Sequence, residues 1–144
     1  MIRTIFFIIL LIHGLIHLMG FAKAFQFAEI SGLSQPVSKP AGAAWGLAAL
    51  LFTVSAVLFL LKKDAWWMWA IPAAVISQIL IFTSWQDAKF GTVANLAVLA
   101  GIAVGYGYWG FNRMADKELQ PFFAQKTNTA GTVTEEKIAA LPPI

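Results

Sequence analysis

Two histidines, His13 and His17, are the residues of this chain whose type and spacing most clearly indicate chemistry. They lie four positions apart, which places both imidazoles on one face of an α-helix. The surrounding segment, residues 4–22, contains no Asp, Glu, Lys or Arg and is long enough to cross a bilayer. Because a polar side chain at membrane depth is costly, the pair is a candidate functional site.

A metal ion bound by this pair would need further ligands. Two imidazoles supply only two positions of a tetrahedral site, and the chain contains no cysteine. Asp87 is the candidate third ligand, with Glu29 as another choice. Haem is a weaker alternative, since two histidines on one face of one helix cannot occupy both axial positions of one iron. We expect no cofactor, and a metal or haem only where a partner chain supplies ligands.

Two other interpretations of the histidines need no cofactor. In the first, both rings are neutral and hydrogen-bond across a helix bundle to Gln78, Ser77 or Asn95, as polar groups often do between membrane helices. In the second, they line a pocket for a quinone, a lipid head group or another small amphiphile, to which an imidazole donates a hydrogen bond. The candidate ligand-binding residues, all expected in the outer half of the bundle, are His13, His17, Gln78, Trp85, Asp87 and Asn95.

Composition indicates the elements that position these residues. The chain is 59% hydrophobic and only 12% charged, against about 25% charged in soluble domains. Each uncharged segment has the roughly 20 residues that a helix needs to cross the hydrocarbon. The sequence predicts an all-α polytopic membrane protein, a bundle of four transmembrane helices. The predicted spans are residues 4–22, 40–61, 65–86 and 90–112.

Lysine and arginine predict the orientation. With four spans, both termini lie on one side, together with Arg3, Lys62, Lys63, Arg113, Lys117 and Lys126. The opposite side has only Lys23, Lys39 and Lys89. This distribution places both termini in the cytoplasm. The net charge of +3 reflects that bias and a basic tail, so no nucleic-acid partner is expected.

The N-terminus has a competing interpretation. Arg3, the apolar residues 5–12 and Ala22-Lys23-Ala24 follow the order of a secretory signal peptide and its cleavage site. The apolar stretch is longer than the core of such a peptide, so we favour a first transmembrane helix.

The connections and the tail are also predicted. Short turns at residues 62–64 and 87–89 make successive helices antiparallel neighbours. Residues 23–30 are expected to continue the first helix along the membrane surface. Residues 113–144 are expected to form a cytoplasmic tail with short amphipathic helices: one is interrupted by Pro121, and the last begins at Thr134.

Small residues recur at intervals of four on two of the predicted helices. This spacing lets helix backbones approach closely, either within the bundle or between it and another chain. The residues are Gly42 and Gly46 on the second helix, and Ala97, Gly101 and Gly105 on the fourth.

The order of HGLIHLMGFAKAF, SQPVSKPAG, SQILIFTSWQDAKFGTVAN and TEEKIAALPPI resembles the N-terminal membrane module of an uncharacterised family of bacterial integral membrane proteins. In that family a Leu-Pro-Pro segment leads into a soluble domain, so this chain is expected to be a truncated or stand-alone version in the bacterial inner membrane. The layout of the chain also resembles that of DoxX-type four-helix proteins. The shared features are Gly20 and Lys23 at the end of the first helix, a short surface helix and three further spans.

Two classes of function remain open. We favour a non-enzymatic accessory or scaffold subunit of a larger membrane complex, because no complete catalytic constellation is present. Its partners would be membrane lipid and other membrane subunits or a second copy. The alternative is a membrane binding module or enzyme that acts on a quinone, lipid or other small amphiphile through an outer cluster of His13, His17, Asp87 and Asn95.

Overall fold

The computed structural model describes residues 1–128, in which there are five α-helices and no strand. Four of these helices are long and apolar enough to cross a membrane. The predicted fold class, an all-α membrane bundle of four helices, is confirmed. The helices are α1 (Ile2–Ala24), α2 (Lys39–Leu60), α3 (Trp66–Thr83), the four-residue α4 (Trp85–Ala88) and α5 (Gly91–Asn128).

Local chemistry explains where the first helices begin and end. Gln26 has a φ of 59°, in the left-handed region, so α1 ends at Ala24 and the predicted helical continuation through residues 23–30 is wrong. α2 begins after Ser38, whose hydroxyl accepts a hydrogen bond of 3.3 Å from the amide of Ala41. Such a side-chain cap satisfies one of the free N–H groups in a first turn. Lys62, also with a φ of 59°, follows the end of α2.

The later helices differ from their predicted limits. α3 ends at Thr83 because Ser84 leaves helical geometry, and α4 occupies the turn that was predicted at residues 87–89. α5 continues through Pro121 to Asn128, so the predicted interruption at Pro121 is wrong. The helix predicted to begin at Thr134 lies outside the described residues.

Glycines allow α1 and α2 to pack at very short range. A Cβ atom on Gly14 would lie 2.8 Å from the Cβ of Phe52, and one on Gly42 would overlap the Cβ of Ala24. These pairs join the middle of α1 to the middle of α2 and the end of α1 to the start of α2. The two helices are therefore antiparallel, and their contact requires residues without side chains.

The other small residues of interest also face neighbouring helices. A Cβ on Gly46 would lie 2.8 Å from the ring of Phe21 in α1. In α5, a Cβ on Gly101 would overlap the ring of Phe6, and one on Gly105 would lie 3.0 Å from Cε2 of Trp66. Ala97, one turn before Gly101, is half-buried.

The interior of the bundle combines many alanines with a few large side chains, and large apolar side chains cover its outside. Leu50, Val75, Val93 and Val104 are examples of the exposed set, which is the pattern expected where lipid surrounds the helices. The largest buried cluster contains Leu10, Phe52, Ala56, Trp66, Ala70, Ala73, Ala74, Val98 and Ile102.

The bundle has two different ends. The turn end contains the start of α1 and residues 61–65, and the loop end contains residues 25–38, α4 and the start of α5. At the turn end, the Arg3 guanidinium donates to the backbone oxygen of Phe59 at 2.7 Å, and the Ser55 hydroxyl donates to that of Trp66 at 3.0 Å. Met1–Trp109 form one compact unit, and a second begins at Gly110.

Candidate functional site

A buried hydrogen-bond network joins three helices towards the loop end. His13 Nε2 in α1 lies 2.9 Å from Asn95 Oδ1 in α5 and 3.2 Å from Ser77 Oγ in α3. The Ser77 hydroxyl donates to the same Asn95 oxygen at 3.1 Å. An amide oxygen can only accept, so His13 Nε2 carries a proton and donates it. All three residues are buried.

The network continues along α3 and α5. Asn95 Nδ2 donates to Gln78 Oε1 at 3.0 Å, and Gln78 Nε2 donates to Thr92 Oγ1 at 3.2 Å. α3 and α5 are antiparallel. Adjacent residues on α3, Ser77 and Gln78, therefore bond to residues that are three positions apart on α5, Asn95 and Thr92. We call His13, Ser77, Gln78, Thr92 and Asn95 the polar relay. The predicted hydrogen bonds from His13 to Ser77 and Asn95 are thus confirmed.

His17 has different surroundings. Its Nδ1 lies 2.7 Å from the backbone oxygen of His13, and its ring packs against Trp45 and Phe52 of α2 at centroid distances of 5.1 and 5.5 Å. The prediction that His17 bonds to Gln78, Ser77 or Asn95 is wrong, because its Nδ1 bonds to the backbone of α1 and its ring packs between His13, Trp45 and Phe52. The residue is 2% exposed, and its Nε2 has no hydrogen-bond partner within residues 1–128.

A cavity of about 310 Å³ lies beside His17 at the loop end. Every helix of the bundle and the loop contribute to it, and most of its lining is apolar. Ile16 and Met19 of α1 and Phe90 at the start of α5 lie at the cavity and are also exposed on the outside of the bundle. Its inner wall includes His13, His17, Leu33, Trp45, Ile81 and Ala94.

Asp87 fixes the loop that covers this cavity. Its carboxylate accepts hydrogen bonds from the Ser34 amide at 2.7 Å, the Ser34 hydroxyl at 2.8 Å and the Gln35 amide at 3.5 Å. The Lys23 ammonium donates to the backbone oxygen of Leu33, whose side chain is buried against the cavity. We call Lys23, Leu33, Ser34, Gln35 and Asp87 the loop clamp.

The electrostatics of the loop clamp follow from these bonds. The Ser34 hydroxyl, followed by the amides of Ser34 and Gln35 and the charge of Lys23, holds the pKa of the Asp87 carboxyl below its usual range. Hydrogen bonds and nearby positive charge both favour the ionised carboxylate. Asp87 is therefore a loop anchor at neutral pH.

The predicted ligand-binding residues separate into three groups. His13, His17 and Asp87 all line the cavity. Gln78 and Asn95 lie behind His13 in the polar relay. Trp85 stacks on Phe82 at a centroid distance of 5.9 Å, is 49% exposed, and is not part of the cavity wall.

Three contributors to the site were not predicted from the sequence. Trp45 packs on His17, Leu33 lines the cavity and Ser34 bonds to Asp87; none of the three was a predicted site residue. A pairing between Ser34 and Asp87, 53 positions apart, has no local sequence signal.

His13, His17 and Asp87, the candidate metal ligands, line the same cavity but are not grouped closely enough to hold a metal ion in the described structure. In the part of the chain that the structure describes, no group of three or more His, Cys, Asp or Glu could hold a metal ion. The Asp87 oxygens accept bonds from the loop, and Glu29 is exposed in it.

Comparisons with protein families, with curated proteins and with solved structures give no match for this chain. The fold shows a module of four helices that are compatible with a membrane. The cavity, the polar relay and the loop clamp are therefore the observations from which a function can be inferred.

Proposed function

We propose that the protein is a membrane-embedded binding protein for a small amphiphile, whose polar head enters the loop-end cavity and contacts His17. The observation that carries this proposal is the buried Nε2 of His17, which lacks a hydrogen-bond partner among the described residues. Buried polar atoms are nearly always paired, and one left unpaired costs about 1–3 kcal/mol. A bound head group supplies the missing partner.

The cavity suits an amphiphile. Its volume of about 310 Å³ lies at the lower end of the range for small-molecule sites, about 300–1,000 Å³. Ile16, Met19 and Phe90 contribute to the cavity and to the outer surface, so an apolar tail can pass from the cavity into lipid. Quinones, lipids with small heads and similar molecules have this shape.

The side of the membrane on which the cavity lies determines how the ligand enters. The distribution of lysine and arginine supports an arrangement in which the loop end is on the outer side of a bacterial inner membrane and both termini are cytoplasmic. The ligand would enter from the outer leaflet. The sequence resemblance to DoxX-type proteins and to the bacterial four-span module supports this location.

An accessory or scaffold subunit of a larger membrane complex is the second candidate. It is favoured by the length of α5, which extends beyond the first compact unit to Asn128. Phe111, Leu119 and Phe122 on this extension are exposed and could pack on another subunit. Such a subunit could also hold an amphiphile in the cavity.

A matched pair of alanine substitutions tests the proposed function. Ala94 lines the cavity, whereas Ala100, on the same helix, is exposed. We expect the wild type and Ala100→Leu to bind hexylhydroquinone or 4-hexylphenol saturably in detergent micelles, as measured by titration calorimetry. Ala94→Leu fills the cavity and should lose at least tenfold in affinity.

Partition of the probe into micelles is the same for all three proteins, so the difference between the two variants reports on the cavity. Thermal unfolding of each variant shows whether it is folded. If Ala94→Leu is folded and binds both probes as the wild type does, the cavity is not a binding site.

A further inference from the structure

We infer that the cavity selects head groups that donate a hydrogen bond, through a hydroxyl or an N–H, over head groups that have only carbonyl or ether oxygens. The inference rests on the proposed function and adds the chemical class of the ligand. It follows from which nitrogen of His17 carries the proton.

The position of the proton on His17 is fixed by its own helix. Nδ1 lies 2.7 Å from the backbone oxygen of His13. A carbonyl oxygen can only accept, so Nδ1 must carry the hydrogen of this bond. A neutral imidazole has a single N–H, so Nε2 has a bare lone pair. This nitrogen is buried without a hydrogen-bond partner among the described residues, and the ring that carries it lines the cavity.

The surroundings keep the ring neutral. Its neighbours are the rings of Trp45, Phe52 and His13, and no carboxylate is hydrogen-bonded to it in residues 1–128. Asp87, which also lines the cavity, is committed to Ser34 and Gln35. A buried charge without a paired opposite charge is strongly disfavoured, so a second proton on Nε2 has no support from the protein.

Two successive turns of α1 thus hold histidines of opposite tautomer. His13 donates from Nε2 to the Asn95 oxygen, whereas His17 donates from Nδ1 and accepts at Nε2. From the sequence, we predicted an imidazole that donates a hydrogen bond to the ligand. For His17 the geometry reverses this role.

Because His17 Nε2 accepts a hydrogen bond, the ligand must donate one. A carbonyl or ether oxygen opposite Nε2 would place two lone pairs against each other. A hydroxyl or N–H in the same place pairs the buried nitrogen. For a head group that exists in two redox states, the hydroxyl form is bound more tightly than the carbonyl form.

A phenol and its methyl ether measure this selectivity directly. 4-Hexylphenol donates a hydrogen bond, whereas 4-hexylanisole has a similar shape and can only accept. With the cavity-filled Ala94→Leu as the reference for partition, we expect the wild type to prefer the phenol about fivefold, the value of one net hydrogen bond.

Two substitutions assign the preference to His17. His17→Phe keeps an aromatic ring and removes both nitrogens, so it should bind the two probes equally. The matched control is Trp67→Phe. Nε1 of Trp67 is the other buried side-chain nitrogen that has no hydrogen-bond partner among the described residues. Trp67 is at the turn end, and its replacement should leave the preference unchanged.

A measurement on the unmodified protein does not depend on the folding of any variant. The chain has only two histidines, so selective ¹⁵N labelling of histidine gives four ring-nitrogen signals. We expect the His17 signals to show a protonated Nδ1 and a bare Nε2, and we expect 4-hexylphenol to shift mainly the bare nitrogen.

The outcomes separate the two proposals. If neither probe distinguishes the wild type from Ala94→Leu, the proposed function fails. If both probes bind in the cavity with equal affinity, or if Nε2 of His17 carries the proton, the cavity remains a binding site and the selectivity inference is overturned.

Discussion

His13 and His17 show how strongly one helical turn changes the environment of a side chain. His13 packs on Phe52 of α2 and also reaches α3 and α5, where Ser77 and Asn95 provide polar partners. Among the described residues, His17 packs on Trp45 and Phe52 of α2, and its ring hydrogen bond is to its own helix. The two residues are therefore expected to differ in what they contribute to stability.

Replacing each histidine by leucine tests this difference. His13→Leu leaves the polar relay without its α1 member and should lower the free energy of unfolding by about 1–3 kcal/mol. His17→Leu leaves no side chain without its partner and should cost less. Denaturation in mixed micelles measures both, and His13→Gln, which keeps an N–H donor, should restore part of the loss. A larger loss for His17→Leu would contradict these assignments.

The loop clamp predicts a dependence on pH. The pKa of the Asp87 carboxyl is lowered in the folded protein from its ordinary value of 3.8. A lowered pKa means that the clamp contributes its full stability above that ordinary value and loses it as the pH falls through the folded pKa. Asp87→Asn should be less stable than the wild type at neutral pH, and the difference should shrink below about pH 4.

Hydrogen exchange of the Ser34 and Gln35 amides at several pH values measures this effect at the bonds themselves. Gln86→Ala is a suitable control, because in the described part of the chain the Gln86 side chain bonds to the Gln35 side chain and not to the backbone of the loop. A wild-type protein whose exchange protection did not change between neutral pH and pH 3 would contradict the assigned role of Asp87.

At the scale of the helices, apolar length predicted four spans because each must cross the same thickness of hydrocarbon. The rotation of each helix was harder to predict. On α3, Ser77 and Gln78 indicated the buried face, but α2 is apolar on almost all sides, so no amphipathic stripe indicates which of its faces is buried. The sequence consequently gave no reason to place Trp45 beside His17. The path of residues 25–38 could not be predicted either, because it is determined by hydrogen bonds between Ser34 and Asp87 in α4.

Glycines on α5 give a matched test of helix packing. A side chain at Gly101 would overlap the ring of Phe6, whereas a Cβ on Gly107 has nothing within 4 Å. We expect Gly101→Leu to destabilise the bundle by about 1–3 kcal/mol, the usual cost of overpacking. Gly107→Leu should leave the unfolding midpoint nearly unchanged.

Thermal unfolding followed by circular dichroism provides the measurement. A Gly101→Leu protein that remained as stable as the wild type but lost copurifying subunits would instead place an assembly interface on this face of α5. The same loss for Gly107→Leu alone would place that interface on the opposite, open face.

At the scale of the whole molecule, the two ends differ in charge and in structure. Lys62 and Lys63 lie at the turn end, and Ser31 lies in the loop at the other end. The chain contains no cysteine, so single cysteines can be introduced without other changes. We expect Ser31→Cys to react with a membrane-impermeant maleimide in intact cells, and Lys63→Cys to react only after permeabilisation.

A reporter fused at Ile144 should be cytoplasmic by the same reasoning. Labelling of Lys63→Cys in intact cells, together with protection of Ser31→Cys, would reverse the orientation and put the cavity in the inner leaflet.

The polar relay also bears on the order in which the protein is made. Ser77 and Asn95 are synthesised 64 and 82 residues after His13, whereas the glycine contacts between α1 and α2 need only the first hairpin. Membrane helices generally insert before they associate, so a nascent hairpin of α1 and α2 holds His13 without Ser77 until α3 arrives and without Asn95 until α5 arrives. The relay therefore closes only after the start of α5 has been made, and a chain that is arrested before α3 exposes an unpaired imidazole within the bilayer.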